Sequence, residues 1–325
     1  MSYRISLARH ADLPTEQEWT PQAEHWPSIQ KRFMTDLQLA AGLAVLASII
    51  FAVGAQLSRL GLRTVDAQNG AFISIAAATV MYWCAAPWLL EPGMWIWPAV
   101  AFFIVAGLFR PAVSSAAAMA GTAVLGPTIS TTLSSSAPLF GLIAGVVFLN
   151  EPLTWPLTLG TLLIIAGVVL LARRPGSSVA QNWPLWALSL PILAAIIRVG
   201  AHLVTKIGME DIPSPYCAGL VGYTASLGVA SANLVRRRQN TVRLFATPGA
   251  RWFLATGVMF GLAVGTLNLA LLYGPLSIVA PLVSLEPLAV LLLGVTLFGE
   301  SNITRRVVIA SLIVVAGAIL ITARG

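Results

Sequence analysis

The sequence predicts an all-α integral membrane protein, ten transmembrane helices arranged as two inverted five-helix repeats. Three observations carry the prediction. Hydrophobic residues make up 57% of the 325 and charged residues only 10%, with a mean hydropathy of +0.84, whereas a soluble chain carries about 25% charged residues. Apolar runs of roughly 20 residues, enough to cross about 30 Å of hydrocarbon, recur between short segments of Gly, Pro and charge. The pattern of the first half then returns in the second.

Residues 1–36 are polar and mixed in charge, with Asp12, Glu16, Glu18, Glu24 and Asp36 set against Arg4, Arg9, Lys31 and Arg32. The segment lacks the apolar core of a signal peptide and is too acidic for a transit peptide, so it is predicted to be a flexible tail. The first repeat, 37–175, holds apolar spans at 39–60, 70–90, 97–125, 127–149 and 155–172. The second, 183–323, holds them at 185–207, 216–234, 252–273, 275–298 and 303–322. The third span is long and carries Arg110-Pro111 in its middle, which predicts a tilt or a kink. Trp155, Trp183, Trp186 and Trp252 fall near span ends, where an amphipathic indole suits the membrane interface.

The repeat is legible residue by residue. Residues 49–62 read IIFAVGAQLSRLGL and residues 196–209 read IIRVGAHLVTKIGM. Gly126-Pro127 recurs as Gly274-Pro275, a pair suited to a tight helix-to-helix corner. Pro138 is followed by Glu151 at the same spacing as Pro287 by Glu300, and Ala166-Gly167 matches Ala316-Gly317 in the last span of each half, where helices can approach closely. An odd number of spans per repeat forces the halves to run in opposite directions through the membrane. Lys and Arg gather on the odd-numbered loops: Arg236, Arg237, Arg238 and Arg243 follow the seventh span, while Glu91-Pro92-Gly93 after the second carries none. That bias predicts cytoplasmic odd loops and both termini outside.

Several classes are excluded. The net charge of +7 comes from arginines at span ends rather than from a basic domain, so no nucleic-acid partner is expected. Cys84 and Cys217 lie inside apolar runs without metal-ligand spacing, and no metal or cofactor is expected. HExxH, GxSxG and Walker A motifs are absent, and His202 is the only histidine within a span, which argues against an enzyme. Without a ring of matching charge in both halves a symmetric ion pore is disfavoured. A membrane-embedded receptor or scaffold stays the alternative, an intramembrane enzyme a lesser one.

The motifs resemble the EamA-type branch of the drug/metabolite transporter superfamily: Gly54 to Arg59, Pro138 to Glu151 and Gly167, then Gly200 to Lys206, Pro287 to Glu300 and Gly317, over residues 39–322. The arginine often found in that family's second helix is missing, and its members are usually described with cytoplasmic termini. The resemblance implies a ten-helix secondary active transporter, an exporter or exchanger of a small polar metabolite or drug-like solute. It implies alternating access around a midplane cavity between the repeats, in the plasma or inner membrane. The expected partners are that solute and the lipid bilayer, and a homodimer is compatible.

Within such a cavity an ionisable side chain is a functional candidate by default. Glu286, Arg198 and Arg110 lie 11 to 13 residues into their spans, roughly 16 to 20 Å deep at 1.5 Å per residue. Arg198 stands against the apolar neighbourhood of Phe51 in the other half, and Glu286 against that of Ala137, so charge enters one repeat only. Either Arg198 and Glu286 pair and lock two helices, or they line the cavity, with Arg110 or Arg198 holding a carboxylate or phosphate. Gln56 and its equivalent His202, Asn268, Ser134 on a stripe with Ser130, Thr131 and Ser135, and Tyr273 among aromatics that include Tyr82, Trp83 and Tyr223 complete the predicted solute site. Glu286 and then His202 are the candidates for proton coupling. Pro138 and Pro287 are the predicted hinges, and Glu151 and Glu300 are read as structural.

Overall fold

A computed structural model describes residues 26–125, 127–172, 185–237, 244–298 and 305–322. The expectations for the tail before Trp26, for the Gly126 corner and for Trp183, Arg238, Arg243 and Glu300 lie outside the described residues. Two compact units are separated, Met1–Thr35 and Asp36–Gly325. In the first, the described residues begin a helix at Trp26; the second holds the remaining helices. Among the described residues all regular structure is helical.

The helices of the first half are α1 (Trp26–Gly61), α2 (Ala67–Leu89), α3 (Trp97–Leu108), α4 (Ser114–Leu125), α5 (Pro127–Ser134), α6 (Ala137–Phe148) and α7 (Trp155–Ala172). Those of the second are α8 (Ser189–Asp211), α9 (Pro215–Arg236), α10 (Ala250–Tyr273), α11 (Leu276–Val283), α12 (Glu286–Phe298) and α13 (Arg305–Thr322). Local chemistry sets their starts. Asp66 caps α2, its carboxylate accepting from Gln68 N and Asn69 N at 3.1 and 3.0 Å. Ser214 caps α9 by accepting from Cys217 N at 3.1 Å, ahead of Pro215 in the first turn. Among the described residues seven helical stretches are long and apolar enough to cross a membrane, and three shorter apolar helices lie at 97–108, 132–148 and 155–171.

Two of the short ones, 97–108 and 132–148, come from broken spans. The third span kinks where predicted: Arg110 leaves helical geometry at φ −128°, ψ 131°, as steric pressure from a following proline requires. Pro111 cannot donate to the Gly107 carbonyl one turn back, and the Ser226 hydroxyl on α9 does so instead at 2.6 Å, with the Arg110 carbonyl also in reach at 2.8 Å. The fourth and ninth spans, expected as single proline-bearing helices, are each divided, at Ser135-Ser136 and at Ser284-Leu285. Pro138 and Pro287 sit at the starts of new helices, where a missing N–H costs least.

Helices of one half pack mainly on helices of the other. The most extensive pairs are α7 with α13, α2 with α10, α3 with α8, α3 with α9, α6 with α11, and α2 with α9. Small residues allow the approach. Gly167 faces the Ala310 carbonyl and Gly317 the Gly160 carbonyl, so the small-residue positions of the last spans meet across the two halves. A Cβ at Gly107 would stand 2.7 Å from Gly222 Cα, so backbone packs on backbone where α3 crosses α9. Hydroxyls tie the same contacts: Tyr82 donates to the Gly261 carbonyl at 2.9 Å and Ser74 to that of Phe253 at 3.0 Å. Arg237 after α9 reaches Asp66 before α2 at 3.7 Å, which places the loops following the first and seventh spans on one face.

Candidate solute cavity

The broken helices and the kink surround a cavity of about 810 Å³, within the size range of small-molecule sites. Its wall includes residues of α1, α3, α4, α5, α6, α8, α10, α11 and α12, so both halves contribute. Arg110, Arg198, His202, Asn268, Ser134, Glu286, Pro138 and Pro287 all line it. The kink at Arg110 and the break before Glu286 thus fall on the cavity wall, where irregular backbone inside a membrane protein is tolerated.

The polar groups differ in how they are held. Arg110 Nη1 lies 3.2 Å from both ring nitrogens of His202 and donates to whichever is unprotonated. The Asn268 amide donates to the Pro215 carbonyl at 3.3 Å, and the residue lines the cavity. Arg198 and Glu286 attract one another across the space, yet among the described residues neither makes a hydrogen bond or an ion pair within 4.0 Å. Each is half-buried because it faces the cavity. The expected alternative of a locking Arg198–Glu286 bridge is therefore not what the geometry contains.

Two expected residues stand elsewhere. Gln56 is buried on α1 and donates to the Val290 carbonyl at 2.8 Å, joining α1 to α12, and does not line the cavity. Tyr273 is 43% exposed at the end of α10 and also lies off the cavity wall. The Thr131 side chain lies outside the described residues. Sequence reasoning missed Ser226, whose role at Gly107 follows from the carbonyl that Pro111 leaves free; proline signals the need but not the donor. It also missed Thr205, which follows Arg198 and His202 on the cavity face of α8, and Ser284, a hydroxyl among apolar residues of α11 that line the cavity. No group of three or more His, Cys, Asp or Glu side chains is gathered for a metal among the described residues.

The EamA-like transporter family model matches residues 38–173 and again 185–323, most of the chain. The chain belongs to the EamA-like transporter family. As an EamA-like protein of the drug/metabolite transporter type it is a multi-pass membrane protein, and the two matched segments coincide with the two halves of the helical architecture. A solved structure described only as the crystal structure of a protein is similar in fold, with a TM-score of 0.70 at 17% identity, covering 88% of this chain and 99% of that one. No curated protein matches the sequence.

Proposed function

We propose that this EamA-like protein is a secondary active transporter of a small amphoteric solute, working by alternating access around the cavity between two inverted five-span repeats in the plasma or inner membrane. The observation that carries the reading is the unpartnered pair Arg198 and Glu286 facing one space. A charge kept out of water without a partner is costly, and a solute with an anionic and a cationic end removes that cost at both residues. Arg198 takes the carboxylate or phosphate, assisted by Arg110, and Glu286 takes an ammonium group or, when the solute has left, a proton. His202 positions Arg110.

The inverted arrangement is supported by the way helix pairs exchange between halves. The second span packs on the eighth as the seventh packs on the third, and the fourth on the ninth and fifth on the tenth lie where a two-fold relation would put them. Counting the kinked and broken helices as single crossings gives ten spans. Pro138 and Pro287 mark the hinges, since one helix ends and another begins immediately before each.

The test compares metabolites inside and outside cells producing the wild-type chain, Glu286→Gln and Arg198→Ala at equal membrane levels. One amphoteric solute class should redistribute with the wild type and with neither variant. Redistribution that survives both substitutions retires the site; no redistribution across varied media favours a receptor or scaffold.

A further inference from the structure

The end of the first repeat reaches into the second at a single carboxylate. α6 ends at Phe148, and the chain turns through Asn150 at φ 52°, the left-handed geometry that asparagine tolerates better than most residues. Leu149 N and Glu151 N both donate to the Gly145 carbonyl, at 3.1 and 3.0 Å, so the turn folds Glu151 back along its own helix. There its carboxylate accepts from Leu276 N and Ser277 N, each at 2.7 Å, at the first turn of α11 in the other half. A carboxylate on the N-terminus of a helix meets unpaired amides and the positive end of the helix dipole.

Lys206 on α8 completes the junction. Its ammonium lies 3.8 Å from Glu151 and donates to the Leu271 carbonyl at 3.1 Å and to that of Gly274. The cation thus sits on the C-terminal carbonyls of α10 and the anion on the N-terminal amides of α11, on either side of the Gly274-Pro275 corner. Glu151 is 8% and Lys206 20% exposed at the side chain.

This junction borders the cavity. Thr205, Leu271 and Leu276 line the cavity and are each next to, or bonded by, a member of the junction, while Glu151 and Lys206 lie behind them, off the wall. From Leu276 the wall continues along α11 to Val283, past the break to Glu286 and on to Leu291, so the junction lies roughly 15 Å from Glu286 at 1.5 Å per residue.

We propose that Glu151, seated on α11 and backed by Lys206, is the latch that holds the cavity shut at this end, and that its release from the Leu276 and Ser277 amides is the step that opens it. The inference rests on alternating access as the mode of transport. It assigns to one carboxylate a positioning role between the two repeats, acting on access to the cavity without touching the solute.

The experiment reads access rather than flux. In a chain carrying Cys84→Ala, with buried Cys217 retained, Ser284→Cys places a thiol on the cavity wall for a membrane-impermeant maleimide applied to either side of sealed vesicles. The latched chain should react faster from the side away from Glu151. Adding Glu151→Ala should raise the rate from the Glu151 side by about tenfold or more, the change expected on losing a charge-assisted hydrogen bond. Gly145→Ala keeps both charges but builds a methyl against the Glu151 carboxylate and 3.0 Å from Ser277 Cβ, and should raise the same rate. Should Glu151→Ala fail to reach the membrane, Gly145→Ala carries the test alone. Unchanged labelling from the Glu151 side in the variants that reach the membrane overturns the latch, as does equal labelling from both sides in the starting chain. Failure with solute flux intact removes the latch and leaves the transport reading standing.

Discussion

At Ser135-Ser136 the break between α5 and α6 is followed by Ala137-Pro138, and at Ser284-Leu285 the break between α11 and α12 is followed by Glu286-Pro287. In both, a serine hydroxyl turns back on its own helix, Ser136 to the Leu133 carbonyl at 2.6 Å and Ser284 to that of Ala280 at 3.0 Å. The backbone device is common to the two repeats, and a proline opens the second segment in each. The charge is not common. What the halves share belongs to the fold, and what only the second half carries, Glu286 with Arg198, is what the proposed function assigns to the solute.

The largest effect is expected from Arg198→Ala and from Glu286→Gln, each lowering solute flux about tenfold or more because the partner charge is then left alone in the cavity. Moving the carboxylate with Ala137→Glu in a Glu286→Ala chain should not restore flux, because the first-half equivalent of Arg198 is Phe51, not an arginine; restored flux would show that either repeat can host the site. Next come the backbone contacts. Gly107→Ala would drive a methyl into the Gly222 backbone and should destabilise the protein by about 1–3 kcal/mol, seen as a lower melting temperature in detergent and lower membrane levels. Ser226→Ala leaves the Gly107 carbonyl beside Pro111 without its donor, a loss of about 1–2 kcal/mol by the same melting measurement. The smallest effects sharpen the contrast between equivalent positions. Gln56→Leu loses one interhelical bond, about 0.6 kcal/mol, and leaves flux near wild type, while His202→Leu releases Arg110 and lowers flux.

The helical class, the repeat, the kink at Arg110 and the charged and proline positions of the cavity wall were legible because each has a local signature: apolar length, recurrence, a proline, or charge where charge is costly. The breaks at 135–136 and 284–285 were not, since a proline-bearing apolar run reads the same whether the helix bends or stops. Gln56 and Tyr273 show the other limit. Both are polar residues in apolar spans, but which way a helix faces is decided by packing: Gln56 turns to the Val290 carbonyl and Tyr273 outward. Glu151 was expected to be structural, and its partners on α11 depend on contacts 125 and 126 residues away in the chain, which periodicity cannot reveal.

The most direct test of the central claim is solute efflux from proteoliposomes loaded with a mixture of anionic, cationic, amphoteric and neutral metabolites, read by mass spectrometry. An amphoteric class should leave vesicles holding the wild-type protein and stay behind in those holding Glu286→Gln or Arg198→Ala. Equal efflux from all three, or efflux confined to neutral solutes, would contradict the account.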